Sequence, residues 1–185
     1  QTFWDKPQGA GTSGNIGYRG WFYHFLDMRT AARTWSCELS SIDTALFLAG
    51  AVHARGYFDG SDPEEAAIRS LSDALLGRLD WNWMRHGQDT LTMGWKPESG
   101  FLTSRWVGYN EGMLLYLLGL GAATNPLPKA SWTAWTAGYT WRTNYGYVMR
   151  TALETFDGMW QRDTLQETVE RVLGRLLLAA DGAAG

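Results

Sequence analysis

The sequence is short of the residues that stitch or anchor a chain. It has a single cysteine, Cys37, which excludes an intrachain disulfide. It has no long apolar run: the longest, Met113–Ala123, falls short of the roughly 20 residues a helix needs to cross a bilayer. No surplus of basic charge is present, since 16 Lys and Arg face 19 Asp and Glu for a formal net charge of −3. A phosphate-neutralising, nucleic-acid-binding surface is therefore not expected. The three histidines, His24, His53 and His86, are widely spaced, and with one cysteine they offer no zinc pattern. No phosphate-cradling glycine loop occurs, so neither metal nor cofactor is expected. The N-terminus lacks a basic stretch followed by an apolar core and does not read as an intact signal peptide.

Aromatic residues are present in excess. Eleven Trp, 8 Tyr and 7 Phe make up 14% of the 185 residues. Such rings bury large areas in a core. They also serve carbohydrate sites, because the axial C–H face of a pyranose is apolar and lies flat on an indole. Composition leaves both uses open.

Helix signals dominate the rest. Ser40 and Asp43 form a capping-box pattern ahead of the apolar run Ala45–Leu48, which predicts a buried helix over about 41–54. Asp62, Pro63 and the acidic Glu64 and Glu65 open a second helix reaching Leu79. A third spans about Glu111–Leu120 behind Asn110, and a short one lies near Ser131–Ala137. The tail is read as helical over Val148–Phe156 and Thr164–Ala180. Gln1–Gly20 reads as loop and Trp21–Trp35 as extended or irregular chain. Asp80–Gly108 is a long connection in which Thr90–Trp95 and Phe101–Trp106 pair as a hairpin around Lys96–Gly100. The prediction is a mainly α protein of five or six helices.

Three blocks carry a resemblance: GYRGWFYHFLDMRTAARTWSCELSSIDTALFLAGA at 17–51, GWKPESGF at 94–101 and RWVGYNEGMLLYLLGLG at 105–121. With the YFDGSDPEEAAIR stretch they resemble the bacterial glucoamylase-like (glycoamylase-like) domain family. That family includes endo-β-1,2-glucanases and the transglycosylating domain of cyclic β-1,2-glucan synthases. The resemblance runs from Phe3 to Tyr147 and implies an (α/α)6 toroid. The chain supplies about half of the twelve helices such a ring needs, so the expected fold is the N-terminal part of the catalytic domain over 1–147. A divergent helical tail of the same domain follows over 148–185.

The resemblance also implies chemistry on a β-linked glucan, β-1,2-glucan first, through paired carboxyl groups. Bacterial envelope or periplasmic polysaccharide metabolism is the implied setting. Glu111, in GYNE at a helix start, is the expected acid. At that position a glutamate could equally serve the helix dipole. Glu38 and Asp43, in CELSSID, are the other catalytic candidates; Asp43 has the capping box as its competing explanation, and Glu38 an exposed loop position. Trp21, Trp81, Trp83, Trp95, Trp106 and Tyr109 are the expected sugar-stacking rings. Glu98 is expected to accept from a sugar hydroxyl, and Arg19 and His24 to donate to one. Asp27 and Arg29 read as a loop brace, and Cys37 as a small buried residue. Three functions follow: a glucan hydrolase, a transglycosylase of cyclic glucan synthesis, or an inactive glycan-binding remnant. An open half-ring would also leave apolar helix faces for self-association.

Overall fold

The computed structural model describes residues 6–138, and the backbone of Thr140–Asn144 and Tyr147–Thr151. Its order is β1 (Gly17–Tyr18), β2 (Trp21–Phe22), β3 (Leu39–Ser40), α1 (Ser41–Tyr57), α2 (Pro63–Gly77) and α3 (Trp81–Arg85). Then come β4 (Gly94–Lys96), β5 (Gly100–Phe101), α4 (Gly112–Leu120), α5 (Lys129–Thr136), β6 (Thr140–Asn144) and β7 (Tyr147–Thr151). The described part is mainly helical, with three small antiparallel sheets: β1–β2, β3–β4–β5 and β6–β7.

The helix starts are built as their caps predict. Ser40 Oγ accepts from the Asp43 N–H at 3.1 Å and donates to the Asp43 carboxylate. Asp62 accepts from the Glu64 N–H at 2.7 Å with Pro63 in the first turn. Asn110 Oδ1 accepts from the Gly112 N–H at 3.0 Å. The five-residue α3 was not expected from the sequence. Asp80 caps it through the Trp83 N–H at 2.9 Å, a signal hidden in the long connection. The expected hairpin forms, with Trp95 opposite Phe101 and Lys96 opposite Gly100, and Gly100 takes the left-handed turn at φ 78°. Its other edge is filled by β3, where Leu39 faces Trp95.

Two expectations need correction. Helix α1 is not buried all round. Ser41, Thr44, Ala45 and Leu48 face inward, while Leu46, Phe47 and Tyr57 remain exposed, because α2, α4 and β2 pack against only part of its surface. From Tyr147 the chain forms a strand paired with Thr140–Asn144, where helix was expected from Val148. The rest of that expected helix, and the one over 164–180, lie outside the described residues.

The core holds Trp21, Trp81, Trp135 and Tyr116 with Leu39, Leu48, Leu79, Met84, Leu91 and Leu115, all fully buried. Trp21 meets Trp81 edge-on at 5.1 Å, and Tyr116 stacks on Trp135 at 5.3 Å. Tyr116 also accepts from the Leu91 N–H and donates to the Trp106 carbonyl, both at 2.9 Å, and burial pushes its phenol up to about 12. That pair of bonds ties the long connection to α4, and so fixes the segment leading into Glu111.

Candidate active site

The carboxylate cluster grows from the junction of β3 and α1. Tyr23 bridges Leu39, and the His24 N–H donates to the Glu38 carbonyl at 2.9 Å. This places the His24 ring between two acids. His24 Nδ1 lies 2.9 Å from Glu38 Oε1, and Nε2 lies 3.4 Å from Asp43 Oδ2. Gly94 makes room on the neighbouring strand. A Cβ there would run into the Leu39 carbonyl oxygen and the Glu38 side chain.

Glu111 stands at the start of α4. Trp106 organises this region: its Nε1–H donates to Ser41 Oγ at 2.9 Å, at the start of α1, and its ring packs beside Gly112, at the start of α4. Two helix N-termini are thereby brought together around one indole. Glu111 makes no capping hydrogen bond, and Asn110 does that work. Partial burial pushes the Glu111 carboxyl above its ordinary value, and the nearby Asp43 charge adds to the rise. Glu38 moves the opposite way. Burial acts to raise it, but its own backbone N–H, His24 and Lys96 together outweigh that and hold it below the usual range. Glu38 and Asp43 therefore flank His24, Glu111 lies near enough to Asp43 to feel its charge, and Glu111 and Glu38 are driven apart in proton affinity. Such a split is what separates an acid from a base in one site.

The expected binding residues divide. Trp21 and Trp81 are completely buried, and Trp106 is buried with its N–H on Ser41, so their rings are closed to a ligand. Long-range packing, which local sequence does not encode, decides this. Trp83 and Trp95 are half-buried and form a cluster with Tyr18 and Phe101, at centroid distances of 4.8–5.5 Å. Arg19 lies over Tyr18 and Trp83 and pairs with Asp80 at 2.6 Å. Tyr109 is half-buried two residues before Glu111.

Glu98 is committed elsewhere. Both its oxygens are gripped by Arg33, at 2.5 and 3.0 Å. The Arg33 side chain is almost wholly buried, lies over the Tyr23 ring and donates through Nε to the Cys37 carbonyl. Arg33 holds the Glu98 carboxyl below its ordinary value. A lowered carboxylate contributes stability above its unfolded-state pKa and loses it as pH falls through the folded value. The melting temperature is therefore expected to drop on acidification below the usual glutamate range. Glu98→Gln should melt lower at neutral pH and lose that part of the pH dependence, as thermal melts across pH would read.

Two aromatics that sequence reasoning passed over stand at the cluster's edge. Phe25 stacks on His24 at 4.1 Å, and Trp35 meets Phe25 at 5.2 Å; both are exposed. The polar neighbours of Trp35, namely Arg33, Thr34 and Ser36, were the available signal.

The Glycoamylase family model ("Putative glucoamylase") matches residues 103–158, the segment that contains Trp106, Tyr109 and Glu111. A curated relative, the exo β-1,2-glucooligosaccharide sophorohydrolase (non-reducing end) of Parabacteroides distasonis, is 25% identical over 108 residues. Over these segments the chain is similar to the glycoamylase-like proteins. The alignment with the sophorohydrolase covers 56% of this chain and 15% of the relative. Among solved structures, an endo-β-1,2-glucanase from Chitinophaga pinensis, in complex with sophorotriose and glucose, superposes with a TM-score of 0.68 at 19% identity. That match covers 80% of this chain and 36% of the other. A β-1,2-glucanase from Parabacteroides distasonis gives 0.63 at 20% identity, covering 74% and 19%. At these identities the likeness is one of fold. The chain thus spans about a third of the Chitinophaga enzyme and less of the other two. Among the described residues, no helix is long and apolar enough to cross a membrane.

Proposed function

We propose that this chain is the N-terminal part of a glycoside hydrolase that cleaves β-1,2-linked glucan, folded as part of an (α/α)6 ring. The observation that carries the reading is the pair Glu38 and Asp43 flanking His24, with Glu111 within reach of the Asp43 charge, Glu111 pushed toward its protonated form and Glu38 toward its carboxylate. In this reading Glu111 gives its proton to the leaving glycosidic oxygen as the C1–O bond breaks. Glu38 or Asp43 supplies the second carboxylate, which takes the proton of the attacking water or engages the sugar carbon. His24 holds those two in register. Trp83, Trp95 and Tyr109 offer partly open rings to neighbouring sugars, and Arg19 offers a donor. Sugar linkage comes from the relatives, whose names specify β-1,2-glucan substrates.

Incubation with linear β-1,2-glucan tests the proposal, with starch and β-1,3-glucan as controls. New reducing ends from β-1,2-glucan alone are the expected result. Products that conserve the number of linkages would reassign the chain to transglycosylation. A second reading has its own support: a chain spanning 36% of an endo-glucanase could keep the cleft and bind glucan without cutting it. Binding without products would select that reading, and neither binding nor products by a folded chain would overturn both.

A further inference from the structure

We infer that Trp35 and Phe25 form a pyranose-binding platform, a sugar subsite set beside the carboxylate cluster and reached through His24. The inference rests on the glucan reading above and adds a site to it.

Exposure is the first observation. Trp35 is 80% exposed and Phe25 is 42% exposed, although rings of this size are normally drawn inward. Single exposed apolar residues are commonplace, so exposure alone decides nothing. The second observation is the backbone. Trp35 and the following Ser36 both sit in the left-handed region, at φ 53° and 50°, and Ala31 joins them at φ 57°. A bulky residue there is an outlier, and such conformations persist only where the surroundings over-determine them.

Here they do. Asp27 Oδ1 accepts from the Arg29 and Thr30 N–H groups, and the Asp27 N–H donates to the Ala32 carbonyl. The Thr34 N–H donates to the Phe25 carbonyl at 3.1 Å, and the Phe25 N–H donates to Cys37 Sγ at 3.2 Å. Beneath them Arg33 clamps the loop to Glu98 on the β4–β5 turn. The chain thus accepts an unfavourable backbone to hold an indole outward, on a loop fastened at several points.

Position is the third observation. Trp35 contacts Phe25, Phe25 lies parallel to His24 with 12° between the rings, and His24 touches Glu38 and Asp43. The rings run in series from solvent to the acids. Trp35 is inclined 60° to Phe25, so the indole presents its own flat apolar face, which suits the C–H face of a glucose ring whose hydroxyls stay at the rim in water. A glucan lying across Trp35 and Phe25 would lead its next residues to the carboxylates.

The test is calorimetric titration of the full chain with linear β-1,2-gluco-oligosaccharides of increasing length. Trp35→Ala is expected to bind the longer oligosaccharides about tenfold more weakly, with an unchanged melting temperature. Trp35→Phe, which keeps a flat ring, should recover most of the loss. Met28→Ala, which removes a fully exposed side chain from the same loop, should bind as the parent does. A Trp35→Ala protein with undiminished affinity would overturn the platform and leave the glucan reading standing. A folded parent chain with no affinity for any of the series would overturn both.

Discussion

Glu111→Gln is expected to lower cleavage of linear β-1,2-glucan by about two to four orders of magnitude, the usual worth of a general acid. The fold should survive, because the Glu111 side chain makes no cap bond and glutamine fills the same space. The pH profile carries the sharper content. Burial and the Asp43 charge keep Glu111 protonated above the ordinary carboxylate range, so activity should fall as pH rises through that raised value. Asp43→Asn removes one of the two causes, and the alkaline limb of whatever activity it retains should move to lower pH.

Stability runs in parallel. Between the unfolded-state and folded-state pKa values of Glu111, the folded chain binds more protons than the unfolded one. Stability therefore declines as pH rises through that window. Glu111→Gln should abolish this part of the decline. Reducing-end assays and thermal melts over the same pH series read both effects. Parent-like turnover by the glutamine variant would remove Glu111 from the chemistry.

Trp81→Ala is expected to cost about 3–5 kcal/mol of stability. For a chain of this size that lowers the melting midpoint by roughly ten degrees or more. The indole is completely enclosed between Trp21 and α4, and Gly119 on α4 has no side chain because a Cβ there would strike Leu127 and Trp81. Nothing nearby can close the hole. The comparison with Trp35→Ala is the instructive one: the same residue type is removed, and one variant loses stability while the other loses ligand. An unaltered midpoint in Trp81→Ala, with weakened glucan binding, would place that ring in a ligand site instead of the core.

These two tryptophans also mark where sequence reading stops. Helix starts were legible because a cap is a local event: Ser40 with Asp43, and Asp62 with Pro63, lie within a turn of the groups they satisfy. The hairpin was legible for the same reason, through Pro97 and Gly100. Of the candidate site, Glu111, Glu38 and Asp43 sit in quotable blocks, and the approach of Glu111 to Asp43 follows from α1 and α4 starting near each other. The aromatic roles were not legible. Trp81 and Trp35 both follow charged or polar residues, and their fates depend on partners up to some sixty positions away, such as Trp21 for Trp81. The Glu98 ion pair was hidden for the same reason. Its partner Arg33 lies 65 positions back, and only the folded chain reveals that a turn carboxylate fastens a buried guanidinium.

Cys37, the lone thiol, lies buried under the Trp35 loop, with its sulfur holding the Phe25 N–H. A labelling reagent reaches that sulfur only when the loop lifts. The speed of thiol modification is thus a clock for local opening, measured on the native chain without an added probe. A glucan resting across the loop would slow that clock, turning the one cysteine into a reporter of occupancy at the surface above it.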